Sequence, residues 1–254
     1  MRKNILYAIL FCGATAGLVG WRTHALRNHD TPHFEIVEDL SLSHSGGCES
    51  LLGIAERVLG SNGVSSNSTL TVLVIGDEST ANEPWELGRY SIPRTQKALE
   101  GRAATVRRQQ TMLSDIRKKC EAPPRTTISP IFLGVRQAIA DLRAQGCKET
   151  SHCEMFVDSD LEENVELSIK RSLQSADYSK HHLPLSVDNS GISVKLCGIA
   201  VTTGHISPSG REVNGTLSRN GSREDSLRRI WLSLFTEPDL VAFEPYCPNA
   251  HSPT

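Results

Sequence analysis

Thr69-Leu70-Thr71-Val72-Leu73-Val74-Ile75, running into Gly76-Asp77-Glu78-Ser79-Thr80, is the stretch that decides the fold. It is short, rich in β-branched residues and nearly continuous in apolar character. A strand covered on both faces reads this way, as in a parallel sheet packed between helices. Working outward, Glu154–Val157 is a second buried strand, leading into Asp158-Ser159-Asp160, and Ile192–Val201 is a third. Helical patterns separate them. Cys48–Leu59 carries Leu51, Leu52, Ala55, Val58 and Leu59 on one stripe and stops at Gly60. A long polar helix is expected over Arg94–Lys119, broken by Glu121-Ala122-Pro123-Pro124-Arg125. Ser129–Gln145 follows, with Ile131, Phe132, Val135, Ile139 and Leu142 inward, Ser129 as N-cap and Pro130 in the first turn. Glu162–Ser175 is a weaker helical stretch, and Ser222-x-x-Asp225 caps a last helix carrying Leu227, Ile230, Trp231, Leu234 and Phe235. Strands alternating with helices predict an α/β chain: a Rossmann-like open, mostly parallel sheet flanked by helices.

Polar residues cluster at one structural address. Asp77 and Ser79 follow one strand, Thr126, Thr127 and Ser129 precede a helix, and Asp158 and Asp160 follow another strand. Groups just beyond the carboxyl ends of strands in an open α/β sheet converge on one crevice, where ligands bind. Carboxylate and hydroxyl oxygens are hard donors suited to Mg²⁺, Ca²⁺ or Mn²⁺, with water or a ligand carboxylate completing the shell.

These motifs carry a resemblance. Asp77-Glu78-Ser79-Thr80-Ala81 resembles the Asp-x-Ser-x-Ser metal-adhesion motif of von Willebrand factor type A (vWA) domains. Ser129-Pro130-Ile131 through Gly134-Val135 is similar to the segment supplying that family's threonine. Phe156-Val157-Asp158-Ser159-Asp160-Leu161 resembles its strand ending in Ser-Asp-Gly. The match runs in order over about Thr69–Phe235. It implies a binding module in which Asp77, Ser79, Ser129 and Asp160 hold a divalent cation and a protein partner docks there. Ala81 stands in place of the second serine, Ser129 in place of threonine (with Thr127 close by) and Leu161 in place of glycine, while Asp158 has no counterpart. Between the first strand and Ser129 there is no obvious strand pair, so the sheet is expected to lack edge strands usual in that family.

The N-terminus points to export. Arg2 and Lys3 precede 18 uncharged residues, Asn4–Trp21, closed by Arg22. As a helix they would span about 27 Å, roughly a bilayer core. Residues 1–27 read as a signal anchor or a cleaved signal peptide, the latter with small-residue sites at Ala14-Thr15-Ala16 or Thr23-His24-Ala25. Lipidation at Cys12 is disfavoured by the bulk of Phe11. Residues 28–47 read as a linker with a possible short strand at Phe34–Val37, residues 48–247 as the domain and 248–254 as a tail. Without Cys12, six of the seven cysteines remain, an even set with 15 possible pairings. Cys147 and Cys153 flank one short connection and are placed to close it, whereas Cys197, in an apolar strand, also reads as a small buried hydrophobe. No Cys-x-x-Cys occurs, so no cysteine-based zinc site is expected.

A net charge of −2 with pI near 6.5 leaves no basic face for nucleic acid. Two other readings compete with the binding module. Val157-Asp158-Ser159-Asp160 also resembles the nucleophile loop of haloacid-dehalogenase-type phosphatases, with Asp158 attacking phosphorus, Asp160 as acid/base and Mg²⁺ between them. The other is a metal-free structural scaffold.

Overall fold

In the computed structural model the described residues are 31–44, 47–60, 68–76, 83–92, 102–122, 126–148, 153–166, 169–170, 185–198 and 221–244. The N-terminal hydrophobic segment, Asp77, Ser79 and Ala81 lie outside them. Among the described residues no helix is long and apolar enough to cross a membrane.

Phe34-Glu35-Ile36-Val37-Glu38-Asp39 forms β1, and all of it is buried. The segment that reads as linker thus supplies a central strand. β1 pairs in parallel with β2 (Thr69–Ile75) on one side and β4 (Cys153–Asp158) on the other. Two glutamates and an aspartate interrupt the apolar run that announces a buried strand in β2, which is why β1 is hard to see in sequence.

The six-stranded sheet has the order β3-β2-β1-β4-β5-β6. β5 (Ile192–Cys197) and β6 (Val241–Glu244) continue it in parallel. β3 (Trp85–Ser91) is antiparallel to β2. An edge strand that the sequence does not announce is therefore present. Its alternation is largely polar, with Leu87 its one fully covered side chain, as befits an edge.

Helices cover both faces. On one lie α1 (Gly47–Gly60) and α2 (Arg102–Cys120), packed on Ile36, Leu70, Val72, Val74 and Phe156. On the other lie α3 (Ile131–Ala144) and α4 (Gly221–Ser233), over Val37, Leu73, Ile75, Met155, Val157 and Val194. α2 is described from Arg102, and residues 94–101 of the helix expected from Arg94 lie outside the described residues. Of the helix expected at 162–175, residues 161–166 are irregular, 169–170 are helical and 171–175 lie outside the described residues. α3 sits close to the sheet at Gly134, where a Cβ would come within 2.9 Å of Val37 Cγ1 and 3.0 Å of Ile75 Cγ2. Only a residue without a side chain permits that approach.

Disulfides pin the periphery. Cys147–Cys153 closes the α3–β4 connection, as its spacing suggests, and Cys48–Cys120 ties α1 to the end of α2. Cys197 is also disulfide-bonded.

Candidate functional site

The chain leaves β1 in one direction to reach β2 and in the other to reach β4, so the switch point of the sheet lies between β1 and β4, where open α/β sheets bind ligands. Asp39, the last residue of β1, is fully buried there. Its Oδ1 accepts the backbone N–H of Ser41 at 2.8 Å and the Ser129 hydroxyl at 3.4 Å, while Oδ2 accepts the Ser159 hydroxyl at 2.8 Å. Ser41 and Ser43 place their hydroxyl oxygens 3.0 Å apart. Ser41 is buried and Ser43 exposed, so this oxygen set has one side open to water.

The loop after β1 is held by its backbone. Leu40 N–H donates to the Ile75 carbonyl at 2.9 Å and Leu42 N–H to the Thr126 carbonyl at 2.8 Å. Thr126 in turn folds its own loop by accepting Ile128 N–H at 2.9 Å on its hydroxyl. This corrects the expected role of Ser129. It is not the N-cap of α3; that place is taken by Pro130, which makes no side-chain cap. The first turn is instead served from another loop, where Glu163 Oε2 accepts Phe132 N–H at 2.7 Å. The Ser129 hydroxyl is thereby left to meet Asp39.

Asp160 closes the set. It is almost fully buried, and its Oδ1 accepts Glu162 N–H at 2.9 Å. Burial, with the Asp39 charge nearby, pushes its pKa up against the pull of the Glu162 N–H, the Ser43 hydroxyl and His44. Two buried carboxylates and several hydroxyls facing one another form the kind of hard-oxygen set that takes a divalent cation.

Of the residues singled out in sequence, Ser129 and Asp160 are brought together here, while Asp77 and Ser79 lie outside the described residues. Thr127 is exposed, and its carbonyl accepts Asn164 Nδ2 at 2.8 Å. The residues that sequence reasoning misses are Asp39, Ser41 and Ser43. The signal was available: Asp39-Leu40-Ser41-Leu42-Ser43 is a complete Asp-x-Ser-x-Ser, including the second serine that Ala81 denies to 77–81.

Asp158 points elsewhere. It is paired across the sheet with Glu38, and with His44 the two form a buried group whose ligand atoms all lie within 4.8 Å of one another, an arrangement that could hold a metal. His44 Nε2 is 3.3 Å from Asp158 Oδ1. Burial works against a charged imidazole, but the Asp158 carboxylate beside it, with Asp39 and Asp160 beyond, outweighs that and raises the His44 pKa. Asp158 is therefore enclosed against His44, unlike a nucleophile presented to a phosphate ester.

No family model and no curated protein sequence matches the chain. Among solved structures it is similar to the pilus adhesin SpaC of Lactobacillus rhamnosus GG in its open conformation, at 13% identity and a TM-score of 0.45, over 86% of this chain and 28% of SpaC. It is also similar to the manganese-loaded TRAP protein of Plasmodium vivax, at 13% identity and a TM-score of 0.43, over 86% of this chain and 70% of that one. Both are likenesses of chain path alone.

Proposed function

We propose that the chain is a vWA-like binding module that docks protein partners through a divalent cation held by Asp39, Ser41, Ser43, Ser129 and Asp160. In this reading Asp39 and Ser41 take the roles that the vWA resemblance implies for Asp77 and Ser79. The observation that carries it is the convergence on Asp39, where hydroxyls from the loops before α3 and after β4 meet a carboxylate at the switch point, beside an exposed hydroxyl. A bound Mg²⁺, Mn²⁺ or Ca²⁺ supplies a Lewis-acidic position for a partner's carboxylate.

The protein's own residues do the rest. Ser159 and the Ser41 N–H fix both oxygens of Asp39, so its orientation is set before an ion arrives. Ser43 faces water and marks the side from which an ion and a partner approach. The disulfides favour an oxidising compartment, and the segment 4–21 either holds the domain at a membrane or directs its export.

Mn²⁺ titration of the chelator-stripped full chain, followed by loss of the free-ion EPR signal, tests the site. One equivalent should bind to the wild type and be displaced by excess Mg²⁺, and Asp39→Asn should remove it. Equal Mn²⁺ binding by Asp39→Asn would contradict the assignment.

A further inference from the structure

We propose that Glu38, His44 and Asp158 form a second metal site, distinct from the Asp39 set and selective for a borderline transition ion such as Zn²⁺ rather than for Mg²⁺ or Ca²⁺.

Successive residues of a strand point to opposite faces, so Glu38 is turned away from the face of Asp39. It shares the face of Ile36, which packs under α1 and α2. Asp158 is its register partner on β4, which puts two carboxylates side by side across one ladder rung. His44 comes back over them from the loop after β1. All three are buried, and their ligand atoms lie within 4.8 Å of one another. A buried carboxylate such as Asp158 beside a buried imidazole is costly unless a cation or a proton joins them.

Two observations favour a metal. The first is unmet bonding capacity: His44 Nε2 and Asp158 Oδ2 are both buried with no hydrogen-bond partner. The 3.3 Å between His44 Nε2 and Asp158 Oδ1 is an ion-pair distance. It matches the edge of about 3.4 Å between neighbouring ligands of a tetrahedral ion held at about 2.1 Å. The second is the bare wall opposite. Gly198 has φ +84°, and a Cβ there would sit 3.2 Å from His44 Cε1, 3.3 Å from Asp158 Oδ1 and 2.8 Å from the Ser159 carbonyl oxygen. The Gly198 backbone thus packs directly against His44 and Asp158, at a position where a side chain would crowd both.

The donor set decides the ion. Imidazole nitrogen suits Zn²⁺ and its neighbours, while Mg²⁺ and Ca²⁺ favour all-oxygen shells. With three protein ligands, a tetrahedral ion would keep one position for water.

The inference does not depend on the Asp39 reading, and one experiment separates them. The full chain, stripped with chelator and held in a large excess of Mg²⁺, is titrated with Co²⁺ and Zn²⁺. One equivalent of Co²⁺ should bind with the visible spectrum of a four-coordinate ion and be displaced by Zn²⁺. Asp39→Asn should retain it, and His44→Gln should weaken it about 100-fold or more. Because His44→Gln alters a buried position, X-ray absorption of the Zn²⁺-loaded wild type gives a second measurement that needs no variant, with outer-shell scattering from a single imidazole expected. Failure to bind Co²⁺ or Zn²⁺ under excess Mg²⁺, unaltered binding in folded His44→Gln, or absence of imidazole scattering would each overturn the site.

Discussion

Ser159 donates its hydroxyl hydrogen to Asp39 Oδ2 at 2.8 Å, joining β4 to β1 across 120 residues of sequence. The same oxygen of Ser159 accepts Leu161 N–H at 3.1 Å, so the hydroxyl is engaged both as donor and as acceptor. The contact fixes a fully buried carboxylate at the one place in the sheet where strand order reverses.

Ser43 is the exposed member of the oxygen set, so its removal should act on the ion and hardly on the fold. Ser43→Ala is expected to change stability by less than about 0.5 kcal/mol, while lowering the affinity for Mn²⁺. Calorimetric titration with Mn²⁺ beside a urea melt checks both halves.

Leu161 has φ +60°, a left-handed backbone, yet its side chain is fully buried. Its carbonyl accepts the Trp231 indole N–H at 3.0 Å, anchoring the site loop to α4. Two terms oppose each other on substitution. Truncation to alanine should cost about 2–5 kcal/mol in lost packing. Glycine loses slightly more packing but removes a left-handed penalty of about 1–2 kcal/mol. Leu161→Gly should therefore be at least as stable as Leu161→Ala, the reverse of the order inside a helix, as denaturant melts of the two variants would show.

Glu35 lies buried in β1, and burial, reinforced by Asp141, pushes its pKa up to about 9 from 4.5. The folded chain thus holds a proton that the unfolded chain releases above its ordinary carboxyl pKa. Stability from this group is full below about pH 4.5 and declines as pH rises towards 9, by up to about 1.4 kcal/mol per pH unit. Glu35→Gln should flatten that slope, and its gain over wild type should be larger at pH 8 than at pH 5. Urea melts at the two pH values measure it.

The disulfides Cys48–Cys120 and Cys147–Cys153 close loops of different size. Cys48–Cys120 spans 72 residues and Cys147–Cys153 spans 6. Chain entropy puts their contributions at about 4 and about 2 kcal/mol. Replacing the first pair by serine should lower the melting temperature more than replacing the second.

How much of this was legible in the sequence follows from how each element is buried. β2, β4 and β5 are announced by apolar runs, and α3 by its helical stripe, because hydrophobic burial alone specifies them. β1 is not, since the buried acids Glu35, Glu38 and Asp39 break its apolar run, and pattern reading treats buried acids as surface. β3 hides for the opposite reason: Trp-Glu-Leu-Gly-Arg-Tyr-Ser alternates like an exposed turn region because an edge strand buries little. Ser129 and Asp160 are legible as residues that flank regular elements. Asp39, Ser41 and Ser43 are not, because the strand that presents them goes unrecognised, although their spacing is complete. Glu38, His44 and Asp158 share no motif, and only the β1–β4 register brings the two acids together.

The Asp39-centred cation site is tested most directly by the melting temperature of the full chain with and without Mg²⁺, in wild type, Asp39→Asn and Asp77→Asn. A millimolar ion on a micromolar site stabilises by about 4 kcal/mol. Wild type and Asp77→Asn should both show the rise, and Asp39→Asn should show none. A rise that survives Asp39→Asn but disappears in Asp77→Asn would contradict the account.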